Sequence, residues 1–159
     1  MRKLKLINII ACIFACLSLM FVLSACSSEK LKYEERGDFG YFVGAVNTDI
    51  SGEIIVPAEY NGKPVYGLIE HAFENCKNIT KVVLPEGLKT IGSYAFKGVG
   101  SNVVVIPVSV TSISETSFEN NGMNRIEYNG TKEQWTQING YTFVPSKIHV
   151  ICVDGEFEL

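Results

Sequence analysis

The 159-residue sequence is short of basic residues, with 14 Lys and Arg against 17 Asp and Glu. Three of the basic residues fall within the first five positions. Residues 26–159 therefore hold 11 Lys and Arg against 17 Asp and Glu, a net charge of about −6. Proteins that bind nucleic acid need a basic surface to displace counterions. This charge balance argues against a nucleic-acid partner, and the length fits one domain with a modest core.

Motifs for catalysis and metal binding are also missing. The sequence contains no CxxC pair, no GxSxG, no P-loop and no dinucleotide-binding glycine pattern. Its two histidines, His71 and His149, have no motif beside them that supplies a nucleophile or a carboxylate partner. We therefore expect a non-catalytic protein without a cofactor or a metal site.

One stretch, Leu6 to Ser28, lacks charge entirely and follows a basic start at Arg2, Lys3 and Lys5. This layout is typical of a secretory signal. The stretch is also long enough for a transmembrane anchor, because roughly 20 apolar residues cross a bilayer. Simple secretion is a third possibility.

The end of this stretch, Leu23-Ser24-Ala25-Cys26, resembles the bacterial lipobox. The resemblance implies cleavage between Ala25 and Cys26 and a diacylglycerol on the Cys26 sulfur. Durable anchoring needs two or more acyl chains, which such a modification supplies. We therefore expect a lipid-anchored protein on the extracytoplasmic face of a bacterial cell membrane.

Two cysteines, Cys76 and Cys152, remain in the body of the chain, 76 positions apart. They could form a long-range disulfide or a redox pair. Both lie in apolar surroundings, which favours two separate buried thiols that pack as small hydrophobic residues.

The body of the chain repeats itself. Five landmark residues, Pro85, Leu88, Ile91, Ala95 and Phe96, recur 22 positions later as Pro107, Val110, Ile113, Ser117 and Phe118. An earlier copy, residues 65–73, matches residues 88–96 at a spacing of 23, after extra residues around Asn61-Gly62. A period of 22 to 23 lies within the range of leucine-rich repeats.

The unit resembles the BspA-like leucine-rich repeats of bacterial surface proteins, which read roughly IP-x-x-V-x-x-I-x-x-x-AF. Residues 128–135 also resemble the Y-x-G-T-x-x-x-W segment that often closes such arrays. The resemblance implies a repeat solenoid of short strands, turns and short helices, with three to four repeats and capped ends. We expect a strand over residues 39–43 at the start, and a capping box from Thr131 to Gln134 near the end.

These features divide the chain into four segments. Residues 1–25 are expected to form a lipoprotein signal peptide, residues 26–38 a lipid-anchored linker, residues 39–153 the repeat domain and residues 154–159 a tail.

Within a repeat, residues 79–84 alternate with period two, which predicts a half-buried strand that ends at Pro85. In a stacked solenoid the outward residues of successive strands form columns. One column is predicted to hold Lys81, Val103 and Arg125, and the next Val83, Val105 and Glu127. Exposed valines beside charged residues are typical of an interface, so these six residues are the candidate ligand surface.

The family resemblance implies a cell-surface module that binds an extracellular protein or a glycan, as in adhesion. We expect a monomer that binds no nucleic acid. The alternatives are an accessory subunit or sensor for envelope enzymes, and an envelope enzyme whose site is not recognisable from sequence.

The lipobox leads to the first prediction. In a bacterial host, radiolabelled fatty acid is expected to attach to the wild-type chain and not to Cys26→Ala, because that substitution removes the acceptor sulfur. Labelled protein is measured by gel autoradiography, with Cys76→Ala as the matched control that stays labelled. Equal labelling of Cys26→Ala and the wild type would refute the assignment.

Overall fold

The computed structural model describes residues 30–157. The expected signal peptide, with Ala25 and Cys26, lies outside the described residues. Within residues 30–157 no helix is long and apolar enough to cross a membrane. The strands are β1 (Leu31–Glu35), β2 (Tyr41–Ala45), β3 (Gly52–Ile55), β4 (Glu59–Tyr60), β5 (Lys63–Leu68), β6 (Ile79–Val83), β7 (Thr90–Ile91), β8 (Val103–Ile106), β9 (Ser112–Ile113), β10 (Arg125–Tyr128), β11 (His149–Cys152) and β12 (Gly155–Phe157).

The strands form two six-stranded sheets. Sheet 1 has the order β1-β2-β5-β7-β9, with β4 added beside β5, and sheet 2 has the order β12-β11-β10-β8-β6-β3. From β2 to β10 the chain alternates between the sheets, whereas no strand of sheet 1 lies between β10 and β11. Sheet 2 has five parallel strands in succession, β3, β6, β8, β10 and β11, which define about five turns. The expected repeat solenoid is confirmed, with more turns than the three to four repeats recognised in the sequence.

The alternation of apolar residues explains why sheet 2 forms. Its inward-facing residues Val82, Val104, Ile126 and Val150 are each 0% exposed. Each lies between two outward residues, as the two-residue period of a strand requires. Parallel strands then pair in register, so that each inward side chain packs on its equivalent in the next turn.

A second stack of buried residues runs through the corners of the solenoid. The rings of Phe73, Phe96 and Phe118 stack with centroids 5.8 and 5.2 Å apart. Small neighbours let the backbones approach, so that Phe73 N–H donates to Ala95 O and Phe96 N–H to Ser117 O, each at 2.8 Å. The Ser117 hydroxyl, fully buried, donates to Ser114 O at 2.7 Å. Serine is tolerated where other repeats have alanine because its polar atom has a partner.

The folded domain begins earlier than residue 39, which corrects the expected linker. Strand β1 pairs antiparallel with β2 from Leu31↔Ala45 to Glu35↔Tyr41, and Leu31 is buried. Residues 31–38 therefore belong to the domain. The strand expected at residues 39–43 is observed as β2, which begins two residues later at Tyr41. Phe39 instead lies in the 3-10 helix Gly37–Phe39 and is 62% exposed.

The C-terminal end differs in a similar way. Helix α1 (Lys132–Thr136) has the expected capping box, in which the Thr131 hydroxyl accepts from Gln134 N–H and the Gln134 side chain accepts from Thr131 N–H. However, α1 lies between β10 and β11 rather than at the end of the array. Within the described residues the last strand is β12, which pairs antiparallel with β11 and includes residues expected to form a tail.

The aromatic stack leads to the second prediction. Replacement Phe96→Ala removes a ring that is 0% exposed and packed between two others. It is expected to lower the free energy of unfolding by about 3–5 kcal/mol, measured by urea denaturation of residues 27–159. The matched control Phe39→Ala, at an exposed position, is expected to change it by about 0.5 kcal/mol or less. Equal effects of the two substitutions would show that the stack is not a main source of stability.

Candidate functional site

The outer side of sheet 2 carries the predicted columns. Lys81 pairs with Val103 and Val103 with Arg125, while Val83 pairs with Val105 and Val105 with Glu127. On β11 the columns continue to His149 and Ile151. We call these eight residues the strand face: Lys81, Val83, Val103, Val105, Arg125, Glu127, His149 and Ile151.

All eight side chains reach the surface. Arg125 and His149 are exposed, and the other six residues are half-buried. Within residues 30–157, neighbouring loops therefore leave these columns at least partly open to solvent. The face is accessible, and its three valines, Val83, Val103 and Val105, lie beside charged residues.

Glu127 connects the charges of the face. Its carboxylate lies 2.7 Å from Arg125 Nη2 on the same strand and 3.8 Å from Lys81 Nζ. Lys81 is on β6 and Glu127 on β10, so this contact crosses β8 and with it Val103 and Val105. One carboxylate thus contacts two cations that lie two strands apart in the sheet.

A depression of about 530 Å³ opens at the β10–β11 end of the face. Lys147 Nζ at its rim donates to Asn121 O at 2.8 Å, and His149 Nδ1 contacts the Glu156 carboxylate. The mixture of cationic, polar and aliphatic groups can hold a ligand that combines charge with apolar surface. The lining residues are Val103, Asn124, Arg125, Lys147, His149, Ile151 and Glu156.

Sequence reasoning missed the part of this site that follows β10. The spacing of the columns changes from 22 residues to 24 between Arg125 and His149, because α1 and the segment after it occupy this turn. The alternation around His149 does place its side chain on the outer side of the strand. If the repeat length were allowed to vary by two residues, from 22 to 24, the sequence alone would align His149 with Arg125.

His71 lies elsewhere, at the corner that precedes Phe73. Its Nδ1 is 2.6 Å from Glu74 Oε2 and its ring stacks on Tyr94 at 5.1 Å. The pKa of the Glu74 carboxyl is lowered mainly by a hydrogen bond from Lys97 and, to a smaller extent, by one from His71, against the opposing effect of burial. These contacts are those of an exposed ion-pair cluster. Among residues 30–157 no group of three or more His, Cys, Asp or Glu side chains could hold a metal ion.

Cys76 and Cys152 are free buried thiols, as the apolar surroundings predicted. Burial, with a smaller effect of Asp49, raises the pKa of the Cys76 thiol to about 11. Burial also raises the pKa of Cys152, ahead of the effect of Asp154. A thiol reacts as its thiolate. Both thiols are therefore poor nucleophiles at neutral pH, and their role is in packing.

A solenoid with a period near 22 residues and a parallel sheet along one side defines a leucine-rich repeat protein. Residues 66–158 match the family described as BspA type leucine rich repeat region (6 copies). The chain belongs to this family, as its repeat motif predicted.

No curated protein matches the chain. Similar solved structures include the leucine-rich repeat protein of T. pallidum, with 18% identity and a TM-score of 0.39 over 77% of this chain and 62% of that one. A leucine-rich cell surface protein of Faecalibacterium prausnitzii A2-165 is 20% identical, with a TM-score of 0.33 over 69% of this chain and 41% of that one. A leucine-rich repeat protein of Bacteroides ovatus ATCC 8483 is 16% identical, with a TM-score of 0.39 over 77% and 36%. The chain thus matches between 36% and 62% of the length of these structures.

Proposed function

We propose that the chain is a non-catalytic binding module on the bacterial cell surface, which contacts an extracellular protein through the strand face. The observation that carries the proposal is the arrangement of Lys81, Val103 and Arg125 in one accessible column beside Val83, Val105 and Glu127. Membership of a leucine-rich repeat family supports a binding role, because stacked repeats build extended binding surfaces.

The chemistry of the face supports a protein ligand. Protein interfaces combine apolar contacts with charged groups, and arginine is enriched in them. Val103 and Val105 offer aliphatic surface, and Arg125 beside them is only partly engaged by Glu127. A ligand that covers the valines gains hydrophobic burial, and its charged groups set orientation and specificity.

Anchoring through a lipid on Cys26 is the second part of the proposal. Lys30 is four residues after Cys26, and a fully extended chain of that length spans at most about 14 Å. Lys30 is held at the first turn of the solenoid, since its O accepts from Val46 N–H and its Nζ donates to Ser51 O. A lipid on Cys26 therefore holds the first turn close to the bilayer. Strand β3 of that turn is at the opposite edge of the parallel strands of sheet 2 from β11.

The third prediction tests the binding surface. The fragment of residues 27–159 is used to capture proteins from extracts of the bacterial envelope and from extracts of the organism that the bacterium colonises. The captured proteins are identified by mass spectrometry. The double substitution Lys81→Glu/Arg125→Glu reverses two charges on the strand face and is expected to abolish capture of the specific partner. The matched control Lys32→Glu/Lys77→Glu changes two exposed lysines off the strand face and is expected to retain capture.

Circular dichroism melting curves confirm that both double variants are folded. Equal recovery of a partner by the Lys81→Glu/Arg125→Glu variant and the wild type would show that the strand face is not the binding surface. Hydrolase activity of the wild-type fragment on envelope substrates would contradict the non-catalytic assignment.

A further inference from the structure

The charge along the strand face changes from one end of its first column to the other. The exposed acidic residue Glu53 of β3 pairs in register with Lys81 and borders the first column there, and the other end of the column holds Arg125 and His149. Lys147, two residues before His149, adds a third basic side chain at the same end. The basic end of the column thus coincides with the depression.

At this end three basic side chains, Arg125, Lys147 and His149, face two carboxylates, those of Glu127 and Glu156. Lys81 and Arg125 share Glu127, and His149 is matched by Glu156. The Lys147 ammonium is within 4 Å of no carboxylate among the described residues, and its hydrogen bond goes to a backbone carbonyl. Since the rest of the chain is acidic, this surplus is a local feature, and it attracts an anionic group.

The second column supplies apolar contacts along the same path. Val83, Val105 and Ile151 are half-buried. Val83 and Val105 lie on adjacent strands, about 4.8 Å apart. Ile151 lies two strands beyond Val105, with Glu127 of β10 between them. The two columns are separated by two residues along each strand. A ligand that lies between them therefore meets mainly basic groups on one side and mainly aliphatic groups on the other, with Val103 as the exception in the first column and Glu127 in the second.

We infer that the ligand of the strand face is an extended peptide segment in which acidic and aliphatic residues alternate. Its carboxylates contact Arg125, Lys147 and His149 at the depression, and its aliphatic side chains lie over Val83, Val105 and Ile151. An extended peptide directs successive side chains to opposite sides, so an alternating sequence satisfies both columns at once. This inference rests on the proposed function and names the chemistry of the partner.

The side chains of the face favour a peptide over an acidic polysaccharide. Sugar rings pack their C–H faces on aromatic rings, and none of the eight strand-face residues is aromatic. Valine and isoleucine instead match the aliphatic side chains of a peptide, whose burial against them stabilises a complex.

The fourth prediction uses the full-length chain, purified in a non-ionic detergent. The probe is a fluorescein-labelled, end-capped octapeptide of alternating Glu and Val, and binding is measured by fluorescence anisotropy. Arg125→Gln and Lys147→Gln are each expected to raise the dissociation constant roughly 5- to 30-fold, the factor that corresponds to about 1–2 kcal/mol. The matched control Lys77→Gln, which removes an exposed lysine off the face, is expected to leave it unchanged.

Two further probes make the result specific. An octapeptide of alternating Lys and Val is expected not to bind, and affinity for the Glu-Val peptide is expected to fall as NaCl rises from 50 to 500 mM. Dextran sulfate that binds more tightly than the peptide and loses affinity through the same two substitutions would overturn the peptide assignment.

No binding of the Glu-Val peptide to the wild type, or equal binding by all variants, would also overturn the inference. If capture of a partner is still lost in Lys81→Glu/Arg125→Glu, the proposed function stands with a different ligand chemistry. If capture is unaffected as well, both fail.

Discussion

No single turn of this chain can bury its own apolar side chains, and the rest of the structure depends on this constraint. A turn presents Val82 or Val104 from a strand and Phe73 or Phe96 from a corner, and each is shielded by its equivalent in the next turn. Stability in such an array is a sum of contacts between neighbours. The turns must therefore stack in register, because a shift of one residue in a strand would expose its apolar set.

The register that protects the inside also organises the outside. When Val82, Val104 and Ile126 align within the core, the residues on either side of them align on the surface. The strand face follows from this alignment. Its residues can vary without cost to the core, so charge and apolar surface can be placed on it in a defined pattern. Here Glu127 is shared between Lys81 and Arg125, and the basic groups collect at the β10–β11 end.

Much of this was predictable from the sequence, because the landmarks of the repeat are short-range patterns. Period-two alternation and the prolines after β6 and β8 predicted the strands, and the constant spacing of 22 predicted both columns. Strand β1 was not predictable in this way. It has only Leu31 and Tyr33 as apolar residues among charges, and it is stabilised by pairing with β2. The contact of Lys81 with Glu127 across β8, and the position of Lys147 at the depression, depend on side-chain conformation and on the irregular turn before β11.

The most direct test of the account is the register of the outer columns, because both the core and the strand face depend on it. Paired residues on adjacent strands lie about 4.8 Å apart, within the 4.4–6.8 Å between Cα atoms that a disulfide spans. We predict that Val103→Cys/Arg125→Cys forms a disulfide on mild oxidation, identified by peptide mapping under non-reducing conditions, and that Val103→Cys/Ile126→Cys does not, since Ile126 faces the core. Formation of the second disulfide in place of the first would contradict the register and, with it, the strand face.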